Sequence, residues 1–508
     1  MLPRISVLLA ILNTVTTFFF NNSCIVQTSS GLVKGTVREY NGLHFYSFQG
    51  IPYAESPTGE KRFAPPIPKK PWTHIFDATH EGPVCPQKNT VYHASLMNED
   101  CLFINIYVPA NRKNKLMPTL VNIHGGAYSI LSGNIDFIYG PQFLLQKDIV
   151  YVSMNFRLHA FGFLSLDNKE AAGNNAVKDI ILSLQWVKRN IMYFGGNNKQ
   201  VTLIGNSSGA ALVHLLMFSK KSTGLFHQAI LLSGTTLGRR LFSKYPKHIA
   251  SLLVQELNIK ANNSRDLVHK LKETDTFDIV DAYTRMKDAD HNILRTYSTL
   301  APCVEINSTD AVITVDPTKA LDDGLPQNVR ILTGFNTNEG LYMLPHIEEN
   351  YEELDNLIKK PETLIPPNIE YPRGSRKAKK LADSISEFYF GKAKRSGNDS
   401  SISHLQCLIE YITDVQYIYS TEYWVKKHKA RNDSKELFLY EFAFDGQLNW
   451  AKCNYGINVS GVAHADELGY LFLTKCTKPY FDNGIIDKRT ERMWRTMQDL
   501  FSNFIKYG

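Results

Sequence analysis

The pentapeptide Gly205-Asn206-Ser207-Ser208-Gly209 constrains this chain more than any other stretch. It follows an apolar run, Val201-Thr202-Leu203-Ile204, and precedes a helix-compatible one, Ala210 to Leu216. That order predicts a strand, a sharp turn and a helix, with a serine at the tip of the turn. A hydroxyl held there is exposed on strained backbone, and its neighbour's N–H lies at a helix N-terminus, where negative charge is favoured. Glycine is needed at 205 and 209 if strand and helix pass closely, because a side chain at either would collide.

The rest of the chain repeats the same alternation. Near-continuous apolar runs predict strands at 101–108, 120–124, 149–155, 201–205, 229–232, 329–334 and 437–442, as in a sheet covered on both faces. Between them lie helical patterns. Ile180, Leu184 and Val187 share a face, and Met493, Trp494, Met497, Leu500, Phe501 and Phe504 form a stripe near the C-terminus. The expected fold class is α/β, a large mostly parallel sheet with helices on both faces and long insertions. A length of 508 residues would allow several domains, but there is no repeat or linker. Residues 24–508 are therefore read as one domain.

Residues 1–23 read as a signal peptide: Arg4 supplies the charge, Ile5 to Phe20 the apolar stretch, and Asn21 to Ser23 the polar end. The apolar run is short and interrupted by Asn13, which argues against a membrane anchor, and no other stretch could span a bilayer. Sequons at Asn21, Asn262, Asn307, Asn398, Asn432 and Asn458 agree with secretion, whereas Asn206 should be too enclosed to carry a glycan. Of seven cysteines, Cys85 and Cys101 close a short loop and are the first expected bridge. Cys453 with Cys476 is a further candidate pair, which the sequence leaves open. Cys24, Cys303 and Cys407 have no named partner, and there is no zinc-type C-x-x-C spacing. The net charge of +7 is small, and the basic run from Arg373 to Lys380 reads as a solvated helix start. Without interleaved aromatics it offers no nucleic-acid platform.

A serine hydroxyl is a poor nucleophile at neutral pH and needs a base, which in turn needs an orienting carboxylate. Downstream, the strand Arg330 to Gly334 runs into a polar loop presenting Glu339, and the small-residue loop Gly461 to Leu468 presents His464 beside Asp466 and Glu467. The order Ser, Glu, His is the one this turn type uses. Upstream, His124-Gly125-Gly126-Ala127 follows a strand; it is either a tight glycine turn or a place where backbone N–H groups can approach a ligand.

With these stretches go Gln49-Gly50-Ile51-Pro52-Tyr53-Ala54, Arg62-Phe63, Glu99-Asp100-Cys101-Leu102, Asn155-Phe156-Arg157, Gly173-Asn174 and Gln185-Trp186-Val187. Taken in order, they make the chain resemble the type-B carboxylesterase/lipase family, the cholinesterase-like branch of the α/β-hydrolases, over nearly its whole length. Its texture is most similar to the insect carboxylesterases. The resemblance implies a secreted serine carboxylesterase acting on a small-molecule ester without metal or organic cofactor. It implies Ser207 as nucleophile, His464 as base and Glu339 as its partner, with Gly126, Ala127 and Ser208 as oxyanion-hole positions. Ser233 and Glu467 match residues around the triad, and Arg157 with Asp179 a buried ion pair.

Several positions depart from the family's pattern. Asn206 stands where Glu is usual, which removes a carboxylate expected beside the acyl site. Ser208 replaces Ala, and Ala127 replaces a third glycine. Between Cys85 and Cys101 there is no tryptophan to hold a quaternary ammonium; Val91 and Tyr92 lie near its place, which argues against acetylcholine. Only Cys303 lies between Ser207 and Glu339, so the disulfide familiar there in cholinesterases is missing. The sequence stops at Gly508, where family members usually continue for a few tens of residues. The alternative readings are a catalytically silent adhesion protein on the same scaffold, or an esterase that mainly sequesters ligands. Xenobiotic, lipid, pheromone and hormone-like esters all remain open as substrates.

Overall fold

A computed structural model describes residues 17–20, 23–111, 115–238, 240–289, 299–324, 327–349, 351–366, 369, 371–372, 374–395, 401–431 and 435–508. A twelve-stranded mixed sheet runs through the chain: β1 Thr17–Phe20, β2 Ser23–Thr28, β3 Gly31–Tyr40, β4 Leu43–Pro52, β5 Phe76–Asp77, β6 Phe103–Pro109, β7 Met117–Ile123, β8 Val150–Met154, β9 Gly196–Asn206, β10 Gln228–Leu232, β11 Arg330–Asn336 and β12 Leu437–Phe442. The order is β1-β2-β3-β4-β6-β8-β7-β9-β10-β11-β12, with β5 added beside β3. From β1 to β8 the neighbours are antiparallel; from β8 through β7 to β12 they are parallel.

The seven strands expected from apolar runs correspond to β6 to β12. The N-terminal meander β2 to β4 was not expected, and its burial explains why: β3 alternates buried with half-exposed positions, so no continuous apolar run announces it. In the parallel half, successive residues enter opposite cores. Val121, Leu203, Leu231 and Ile331 pack on one face, and Leu120, Ile204, Leu232 and Leu332 on the other.

The helix Asn175–Asn190 buries Ile180, Leu184 and Val187 together. The C-terminal helix Lys488–Tyr507 buries Met497, Phe501, Phe504 and Ile505, but Leu500 stands 43% exposed. Leu500 therefore does not belong to the stripe; Ile505 takes its place, because the buried face lies over positions 497, 501, 504 and 505. The expected solvated helix start is the beginning of Arg376–Arg395.

Disulfides join Cys85 to Cys101 and Cys453 to Cys476. Loops of this size make each worth about 3 kcal/mol by restricting the unfolded chain. Cys303 and Cys407 are not bridged. Asn262, Asn307 and Asn458 are exposed, while Asn206 is buried; Asn21, Asn398 and Asn432 lie outside the described residues. Most of the expected signal peptide lies outside them too, although Thr17–Phe20 pairs with β2 as an edge strand. No helix among the described residues is long and apolar enough to cross a membrane.

Candidate active site

Sheet register brings the candidate residues to one edge. Ile123 pairs with Gly205, Leu232 with Asn206, and Leu232 with Gly334, so the C-terminal ends of β7, β9, β10 and β11 are level. The loops leaving those ends carry residues 124–127, Ser207, Ser233 and Glu339. Such an edge is where open α/β sheets expose their working groups.

Ser207 sits between β9 and the helix Ser208–Leu216 at φ 58° and ψ −124°. A non-glycine residue held there stores about 1–3 kcal/mol of strain. Its N–H donates to the Leu232 carbonyl at 2.8 Å, and its own carbonyl accepts from Ala211 N at 3.1 Å, which pins the turn from both sides. A Cβ on Gly205 would come within 2.4 Å of Gly209 C, and one on Gly209 within 2.1 Å of the Ile123 carbonyl oxygen. The second clash is with the neighbouring strand end, a closer approach than strand and helix alone would impose.

His464 donates from Nδ1 to Glu339 Oε2 at 2.6 Å. Glu339 is fully buried, and its other oxygen accepts from Asn336 N at 2.7 Å. The His464 backbone N–H donates to the Glu339 carbonyl at 3.2 Å, so the two loops are fastened twice. With Nδ1 donating, Nε2 of a neutral imidazole is left as a proton acceptor. The ring packs against Tyr417 and Tyr342, with centroids 4.7 and 5.2 Å away. Among the described residues, Ser207 Oγ has no hydrogen-bond partner.

The glycine turn abuts the serine turn: a Cβ on Gly125 would lie 2.7 Å from the Asn206 carbonyl oxygen and 3.5 Å from Ser207 Cβ. Gly126 and Ala127 both have positive φ, 96° and 51°. No acceptor among the described residues pairs with either N–H. His124 is buried, stacked on Phe156 at 4.2 Å, with its Nδ1 bonded to the Gly125 carbonyl at 2.9 Å. Burial lowers its pKa to about 4, so it stays neutral at physiological pH.

Glu467 is also fully buried. It accepts from Asn206 Nδ2 at 3.3 Å and from Asn336 Nδ2 at 2.5 Å, and burial, then the Glu339 charge, push its carboxyl up to about 7. The Asn206 side chain turns inward to Glu467 and also donates to the Leu232 carbonyl at 3.4 Å, anchoring the serine turn. Ser233 is buried at φ 52°, and among the described residues neither its hydroxyl nor the buried Ser208 hydroxyl has a hydrogen-bond partner. Farther out, the Arg157 guanidinium forms two bonds to Asp179, at 2.8 and 2.7 Å, its backbone N–H adds a third at 3.1 Å, and both side chains are buried.

Asn336, Tyr342 and Tyr417 were not singled out from the sequence. Asn336 joins Glu339 to Glu467; in the sequence it is one polar residue among several after Gly334, and the strand in fact runs on to it. Tyr417 lies in a π-helical turn, Asp414–Ile418, inserted between the helices Ser401–Thr413 and Tyr419–Lys429. Such turns cluster at functional sites, yet leave no periodic signature.

The family model "Carboxylesterase family" matches residues 22–508. The chain is 31% identical to juvenile hormone esterase of Heliothis virescens over 96% of its own length and 86% of that protein. It is also 31% identical to esterase FE4 of Myzus persicae, over 96% and 85%. The crystal structure of juvenile hormone esterase from Manduca sexta, with OTFP covalently attached, superposes with a TM-score of 0.84 at 30% identity, covering 96% of this chain and 90% of that one. The sheet, the level strand ends and these likenesses agree: the fold is the α/β-hydrolase fold, and the chain is a carboxylic ester hydrolase belonging to the carboxylesterase family.

Proposed function

We propose that this enzyme is a secreted serine carboxylesterase that works through an acyl-enzyme on Ser207. The observation that carries the reading is the 2.6 Å bond from His464 Nδ1 to the buried Glu339, on the same sheet edge as the strained Ser207 turn. Glu339 fixes the imidazole's tautomer and stabilises the imidazolium that forms later. Ser207 Oγ attacks the ester carbonyl while His464 Nε2 takes its proton; the tetrahedral oxyanion then lies on the N–H groups of Gly126, Ala127 and Ser208. Collapse expels the alcohol, which leaves with the proton from His464, and water repeats the sequence on the acyl group. Hydrogen bonds between nucleophile and base commonly tighten only when substrate is bound, which accommodates the unbonded Ser207 hydroxyl.

Secretion is supported by the leader-like N-terminus, the two disulfides and the exposed sequons at Asn262, Asn307 and Asn458. Loss of β1 with the leader would remove only an edge strand. The test is fluorophosphonate labelling of protein recovered from culture medium, with turnover of p-nitrophenyl acetate and butyrate read in parallel. Ser207→Ala and His464→Ala should each abolish labelling and lower kcat by about 10⁴-fold or more. A folded wild-type protein that neither labels nor turns over would overturn the proposal, and labelling with a single burst would make it a sequestering esterase.

A further inference from the structure

Beside the catalytic edge lies a cavity of about 300 Å³ that none of the triad candidates lines. Its inner wall is Thr236 and Leu237, just beyond Gly234, where a Cβ would come within 2.2 Å of the Ser207 carbonyl oxygen. The segment that lines the cavity from Thr236 onward thus leaves the nucleophile's turn two residues earlier. Its walls are mainly apolar, with Leu237, Phe242, Ile249 and Pro317, and Tyr419 stands exposed at its mouth.

The charges are uneven. Arg240 lines the cavity, half-buried and at φ 78°, a conformation that costs an arginine energy. Its guanidinium donates to the neutral Gln416 Oε1 at 2.9 Å, and no carboxylate among the described residues lies in ion-pair range of it. Among the described residues Asp316 is the one acidic residue lining the cavity, and its Oδ1 already accepts from Thr318 N at 2.8 Å as a helix cap. Gln416 and Tyr417 are consecutive in the π-helical turn: one holds Arg240 and the next packs on His464. A half-buried cation is thus held one residue away from the catalytic imidazole's packing partner, in a pocket whose walls suit hydrocarbon.

We propose that this cavity binds amphiphilic carboxylates, with the chain on the apolar wall and the headgroup on Arg240. Ester hydrolysis turns a neutral acyl group into a carboxylate, and Arg240 is a cation linked to His464 through Gln416 and Tyr417. The cavity and its charge define the site; its use as a station for the released acid rests on the acyl-enzyme reading above.

The experiment is calorimetric titration of the full chain carrying Ser207→Ala with decanoate, decanol and decyltrimethylammonium. A hydrogen bond to a charged group predicts that decanoate binds about 10- to 100-fold more tightly than decanol. Adding Arg240→Gln should erase that preference and leave decanol unchanged, while Arg240→Lys should keep most of it. Equal binding of decanoate and decanol, or a preference that survives Arg240→Gln, overturns the proposal. Should Arg240→Gln fail to fold by circular dichroism, the headgroup comparison and Arg240→Lys decide; ammonium binding as tight as decanoate then overturns it. Fluorophosphonate labelling of the wild type is read separately. An unreactive protein that selects decanoate sinks the esterase mechanism but not the site, and a reactive one indifferent to headgroup charge does the reverse.

Discussion

Replacing Glu467 by Gln tests whether a buried carboxyl is held beside Glu339 against its own ionisation. Glu467 is fully buried, its direct partners are the neutral amides of Asn206 and Asn336, and its pKa is raised from 4.5 to about 7. A carboxyl that holds its proton more tightly folded than unfolded favours the fold while protonated. That contribution is whole below pH 4.5 and drains away as pH rises through about 7. At 1.36 kcal/mol per pH unit, the full interval corresponds to about 3 kcal/mol. Gln cannot ionise, so Glu467→Gln should gain about 2–3 kcal/mol relative to wild type between pH 5 and pH 8. The new NH₂ will face one of the two asparagine amides, a cost present at every pH that cancels when the two pH values are compared. Urea unfolding followed by tryptophan fluorescence at pH 5, 6, 7 and 8 measures the difference. Parallel pH profiles for the two proteins would refute the reasoning, and a gap that moves the other way would mean that the anion is the stabilised form.

Asn206→Glu would set a second carboxylate where an amide now lies 3.3 Å from Glu467, so the pair would share one proton; its loss in Tm relative to wild type should widen from pH 5 to pH 8. Arg157→Met leaves Asp179 buried without its cation and should cost about 3–5 kcal/mol in urea unfolding, with part of the loss recovered by adding Asp179→Asn. A cost below about 1 kcal/mol would show that the pair is dispensable. Gly209→Ala must push Cβ against the Ile123 carbonyl, so soluble yield and fluorophosphonate labelling should both collapse; a folded, labelled variant would show that β7 can yield.

What the sequence determined by itself is the part of the molecule written in local chemistry. The strand–turn–helix at Ser207, the strands β6 to β11 and the C-terminal helix follow from apolar runs, periodicity and small residues, because covered strands and amphipathic helices must look that way to fold, while β12 carries an apolar run although Phe438 and Leu439 are exposed. The candidates Glu339 and His464 were legible because their chain order matched the turn type, and the two side chains meet at 2.6 Å. Tertiary structure decided the rest. Which way Asn206 points depends on Glu467, more than two hundred residues later, and the importance of Asn336 depends on strand register. β3 lacks an apolar run because it is only half covered, and the π-helical turn that seats Tyr417 on His464 and Gln416 on Arg240 has no period to read. Local sequence sets which groups are available and what backbone each can adopt. Only the packed sheet sets which of them meet, since the contacts between loops from different strand ends exist only once the strands are in register.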